Sequence, residues 1–163
     1  MKTRQRGVAL VELAIVISIL LAITFAITEF GRAIYTYNTL TKAARDAARY
    51  LSTQAAGSTA AYATATNLAV YGKPTVSGTP TPLAPGLAAN MVSICDASNT
   101  SCTSNIAQGT NPAINTVTVA ISGYPFVPAL DLLAFTRFYS GGTGSITAIT
   151  FGSISVTMRQ AYE

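Results

Sequence analysis

Three sets of residues in this chain have types and spacings that could do chemistry. Glu12 stands alone as a charged group inside the run VALVELAIVISILLAITFAIT, residues 8–28. Cys95 and Cys102 are the chain's two cysteines, and Glu29 and Arg32 lie three positions apart just past the apolar run. A carboxylate at membrane depth costs about 2.5 kcal/mol or more, so Glu12 requires a positive charge, a proton or access to water. The cysteines suit a disulfide if the region is exported, and two unpaired thiols close in sequence are the alternative. Glu29 and Arg32 suit a local ion pair or a head-group contact.

Catalytic chemistry is poorly supplied. The chain has no His, which removes the usual general base and the commonest neutral metal ligand. The glycine-rich run SGGTGS lacks the Lys-Ser/Thr and the following helix of a phosphate cradle. Asn99-Thr100-Ser101 fits a glycosylation sequon by pattern alone. No enzyme activity, cofactor or metal is expected.

The elements that must position these groups begin with a membrane segment. Val8 to Thr28 contains no Pro or Gly and would be about 31 Å long as a helix, matching a bilayer core of about 30 Å. A cleavable secretory signal would have a shorter apolar region and a better small-residue site than Thr24-Phe25-Ala26. Lys2, Arg4 and Arg6 precede the run and account for most of the net charge of +4, leaving seven basic and six acidic side chains beyond residue 7. Nucleic-acid binding therefore has no electrostatic basis. The same basic end predicts a cytoplasmic N-terminus and an extracytoplasmic remainder.

Past the membrane the helical period continues to about Gln54, with Phe30, Ile34, Tyr37, Leu40, Ala44, Ala47 and Leu51 marking one buried face. Lys42, Arg45 and Arg49 share another face, read as a solvated stripe. Ser58 or Thr59 can cap a second helix through AAYATATNLAVY, with Tyr62, Thr66, Ala69 and Val70 on one side and Gly72 as its stop. The Pro- and Gly-rich stretch 73–86 predicts a linker. The period then changes to two. Residues 91–95, 114–122 and 153–158 predict strands, with Val117, Val119 and Ile121 on one side of the second and Ile154, Val156 and Met158 on one side of the third. A short helix is expected from about Pro128, followed by the turn SGGTGS.

The expected fold is α+β: a long N-terminal helix packed on a small antiparallel sheet. The expected division is 1–7 leader, 8–28 membrane segment, 29–56 helical continuation, 57–86 short helix and linker, and 87–163 a small β domain with one disulfide.

A basic leader, a glycine, and an apolar helix with glutamate at its fifth position resemble a prepilin: Arg4-Gln5-Arg6-Gly7, then Val8 to Glu12. More narrowly, residues 7–50 resemble the TadE-like minor pilins or pseudopilins of tight-adherence (Tad or Flp) type IV pilus systems. The residues carrying this likeness are Val11-Glu12, Glu29-Phe30-Gly31-Arg32, Tyr37-Asn38, Ala43-Ala44-Arg45 and Ala48-Arg49-Tyr50. Leu13 stands where the major pilins of this branch have tyrosine, which implies a minor subunit. Ile17-Ser18 occupy the region where family members often carry a proline, so no kink is implied there.

The resemblance implies processing between Gly7 and Val8 by a prepilin peptidase. It also implies assembly through Val8 and Glu12 with other pilins or pseudopilins, and contact with the lipid bilayer and an inner-membrane assembly platform. The expected location is the bacterial inner membrane, with passage into a surface pilus open. The alternative is a single-pass anchored binding domain that never enters a filament.

Overall fold

The computed structural model describes residues 4–99, 114–129 and 148–161. Helix α1 spans Arg4–Leu51, followed by α2 (Thr59–Tyr71), a 3-10 turn (Ala89–Met91), and strands β1 (Val92–Cys95), β2 (Thr116–Ile121), β3 (Pro125–Phe126), β4 (Ile149–Thr150) and β5 (Ile154–Arg159). The mixed α+β class agrees with the sequence. The helix expected from Pro128, the SGGTGS turn and Cys102 lie outside the described residues.

Two compact units divide the chain: Met1–Ile34 with Val127–Ile149, and Tyr35–Phe126 with Thr150–Glu163. Within the first, α1 carries the apolar run. An 18-residue window within Gly7–Leu51 reaches a mean hydropathy of 2.7 and is 0% buried, so the helix is long and apolar enough to cross a membrane. The hydroxyls in this stretch are satisfied within the helix: Ser18 donates to the Ala14 carbonyl at 2.8 Å, Thr24 to Leu20 at 2.8 Å, and Thr28 to Thr24 at 2.9 Å. That is the arrangement a hydrocarbon environment requires of polar groups.

In the second unit the core forms where α1, α2 and the sheet contribute small and β-branched residues. Ala47, Ala48 and Leu51 from α1, Ala61, Ala65 and Ala69 from α2, and Val117 and Val119 from β2 make one buried cluster. The three-stranded sheet has the order β1-β2-β5, antiparallel throughout. Its register places Val117 opposite Met158, Val119 opposite Val156, and Ile121 opposite Ile154. All six are residues that the alternation assigns inward. On the other face Thr118 faces Thr157, with their hydroxyls 2.8 Å apart. Such directly opposed pairs are the unit of sheet stabilisation.

Three differences from the sequence reading have physical causes. The helix stops at Leu51 rather than Gln54, because Ser52 and Thr53 turn their hydroxyls onto the Arg49 and Tyr50 carbonyls and the chain tightens into i+3 bonds. The buried face begins at Leu40 rather than Phe30, and it includes Ala43 and Ala48. Phe30 and Ile34 remain exposed and continue the outward surface of the apolar run, and Tyr37 is exposed as well. Helix α2 buries Ala61, Ala65, Ala69 and Val70, a face rotated from the one expected through Tyr62 and Thr66. Alanines surround this helix, so its pattern alone did not choose a side. Its ends follow expectation: Ser58 accepts from the Ala61 N–H, and Gly72 closes it at φ 68°.

The C-terminal strand closes on the end of α1. Gln160 donates its side-chain amide to the Gln54 carbonyl at 2.8 Å, and the Ala161 N–H reaches the Ser52 carbonyl at 2.8 Å. Carbonyls left unpaired by the helix terminus are thereby satisfied.

Candidate functional site

Gly7, Val8 and Glu12 all lie within α1, and the four-residue spacing sets Glu12 one turn beyond Val8. Both Val8 and Glu12 are exposed. Among the described residues none hydrogen-bonds or pairs with the Glu12 carboxylate. It contrasts with every hydroxyl of the same stretch described above, each of which has a partner.

Glu29 is treated differently. It is 6% exposed, and its carboxylate accepts two bonds from Arg32 Nη1, at 2.9 and 2.7 Å, and one from the Ala129 backbone N–H at 3.2 Å. The ion pair was legible in the spacing; the third donor, a hundred positions away, was not.

Further along α1, Tyr37 packs edge-on against Phe151 with ring centroids 6.0 Å apart. Phe151 also stacks on Phe126 and tilts against Tyr124, each at 5.5 Å. Ala43, Ala44 and Ala48 are buried, while Tyr50 packs against the core cluster. The outer part of the helix is thus a docking edge for its own domain. Residues 7–49 match the TadE-like protein family. The matched stretch contains Glu12, the Glu29–Arg32 pair, Tyr37 and the buried alanines. No curated protein and no solved structure matches the chain.

One polar site escaped the sequence reading. Asp96, directly after β1, is 1% exposed. Its Oδ1 accepts from Ser98 Oγ at 2.6 Å and the Ser98 N–H at 3.0 Å, and its Oδ2 accepts from the Gly57 N–H at 3.0 Å and from the Tyr62 hydroxyl. Burial pushes the Asp96 carboxyl up, but the donated hydrogen bonds outweigh it and hold its pKa below the ordinary carboxylate value. Burial, together with the neighbouring carboxylate, pushes the Tyr62 hydroxyl above its ordinary value. The Asp-Ala-Ser turn pattern was the available signal. Gly57 takes φ 79°, and a Cβ there would stand 3.1 Å from Ser98 Oγ, so the turn favours glycine. The carboxylate is held by four donated hydrogen bonds from within the cluster, which makes it a structural clamp joining the α1–α2 turn to the end of β1.

Among the described residues no group of three or more His, Cys, Asp or Glu could hold a metal. Cys95 ends β1. Its expected partner Cys102 lies outside the described residues.

Proposed function

We propose that this chain is a TadE-like minor pilin or pseudopilin that contributes to assembly or function of a Tad-type adhesive pilus. Its role is structural rather than catalytic. Residues 8–28 anchor it in the inner membrane, residues 1–7 form a cytoplasmic leader, and the domain beyond is extracytoplasmic. The observation that carries this reading is Glu12, whose carboxylate has no partner among the described residues, on an otherwise internally satisfied apolar helix and within a stretch that matches the TadE-like family.

A prepilin peptidase cutting between Gly7 and Val8 would create an α-amine one turn below Glu12. A helix N-terminus in lipid also presents unsatisfied N–H groups and the positive end of the helix dipole. Glu12 can neutralise that amine in its own chain or a neighbour's, so a charge that is costly in a lone helix becomes a contact between packed helices. Other pilins and the inner-membrane assembly platform are the partners this chemistry fits. The test is mass spectrometry of the protein from its host. A mature chain starting at Val8, with Gly7→Leu left uncut, supports the reading; a mature start elsewhere refutes it.

A further inference from the structure

Glu29 follows immediately on Thr28, the last residue of the apolar run, about 1.5 Å of helical rise further on. Its carboxylate holds the Ala129 N–H at 3.2 Å. The backbone around Ala129 is therefore fixed at the level where α1 would leave the hydrocarbon. Val127, two residues earlier, is 60% exposed, and on α1 at the same level Ile27 and Phe30 are each 67% exposed. Arg32 lies one turn above Glu29 with a half-exposed side chain that engages the Glu29 carboxylate.

We propose that Val127–Ala129 makes a second membrane contact, with Val127 seated at the boundary between acyl chains and head groups and the Glu29 carboxylate as the latch that holds it there. This rests on residues 8–28 spanning the bilayer. Lipid is the occupant because the exposed apolar surface at Ile27 and Phe30 continues that of the span, where the window of mean hydropathy 2.7 is 0% buried. The charge arrangement fits the same depth. Arg32 compensates Glu29, so the latch carries no isolated negative charge into the interface, and an arginine above an apolar rim is the side chain that snorkels toward phosphate.

The chain has no Trp, so a single introduced indole reports its own surroundings. Full-length Val127→Trp and, separately, Ile19→Trp are reconstituted into phosphatidylglycerol-containing vesicles whose lipids carry bromine either near the top or near the middle of the acyl chain. For Val127→Trp we expect blue-shifted emission, quenched roughly twofold more by shallow than by deep bromine, as an interfacial seat about 5–10 Å deep requires. Ile19→Trp should show the reverse preference. Loss of quenching at Ile19→Trp would overturn the spanning reading itself. Quenching at Ile19→Trp with water-like emission at Val127→Trp overturns the second contact alone. Blue-shifted but unquenched emission at Val127→Trp, the signature of a second copy covering it, overturns it as well. Adding Glu29→Ala to Val127→Trp should return the emission toward water while Ile19→Trp with the same change stays quenched; undiminished quenching at Val127→Trp would rule out the latch.

Discussion

The hydroxyl of Tyr62 donates to the carboxylate of Asp96, joining the first turn of α2 to the residue that follows β1. Two consequences follow for stability. Asp96→Ala removes the acceptor of the Ser98 N–H and of the Tyr62 hydroxyl, and the expected cost is about 1–3 kcal/mol, read as a lowered urea midpoint of the full-length protein in detergent. The pH dependence has a defined sign. The folded Asp96 pKa is depressed, so its contribution is fully present above the ordinary value of 3.8 and is lost as pH falls through the folded value. The folded Tyr62 pKa is raised, so its contribution is present below 10.0 and is lost as pH rises through the folded value. Asp96→Asn should flatten the acid limb relative to wild type; an unchanged limb would show that the clamp does not govern it.

Ala65 is fully buried in the cluster shared by α1, α2 and β2. Ala65→Leu should overpack this core and lower stability by about 1–3 kcal/mol, whereas Ala60→Leu on the exposed side of α2 should change it by less than about 0.5 kcal/mol. Paired thermal unfolding scans separate the two, and equal effects would contradict the face assigned to α2.

How far the sequence disclosed these features depended on the range of the interaction. Val117, Val119 and Ile121 alternate with polar residues, as do Ile154, Val156 and Met158, so the face of each strand follows from a period of two, whereas the register that sets them opposite one another belongs to the folded sheet. The run AAYATATNLA offers alanine in nearly every direction, so only tertiary packing chose Ala61, Ala65 and Ala69. Strands β3 and β4, two residues each, are too short to carry a period. Glu29 announced Arg32 through helical spacing but could not announce Ala129, and Asp96 gave no sign of Gly57 or Tyr62, because such partners are set by the folded chain.

Cys95 closes β1 immediately before the Asp96 clamp. A bridge to Cys102 would close a short loop, stabilising by about 2.5 kcal/mol in the chain-entropy model. Alkylation of the protein isolated from its host without reductant should label neither cysteine, and labelling of both after reduction should accompany a lowered unfolding midpoint. Full labelling before reduction would reject the pairing.

Glu12 lies on the part of α1 assigned to the membrane, and neither the sheet core nor the Asp96 clamp includes it. Replacing it should therefore spare the folded domain. Glu12→Ala removes a charge whose insertion costs about 2.5 kcal/mol or more, so the variant should enter the membrane at least as well as wild type. On the proposed reading, what it loses is the contact available to the α-amine of a processed Val8 on its own or a neighbouring helix. A chain that only anchors a domain would gain from the change, whereas a pilin subunit would lose partners. Expressed in a host carrying the rest of the system, Glu12→Ala should be cleaved normally and reach wild-type membrane levels, yet co-purify with other pilins at least tenfold less, the effect of about 1.4 kcal/mol in association. Wild-type co-purification and piliation by the variant would remove the assembly role of Glu12 and favour the anchored-domain alternative.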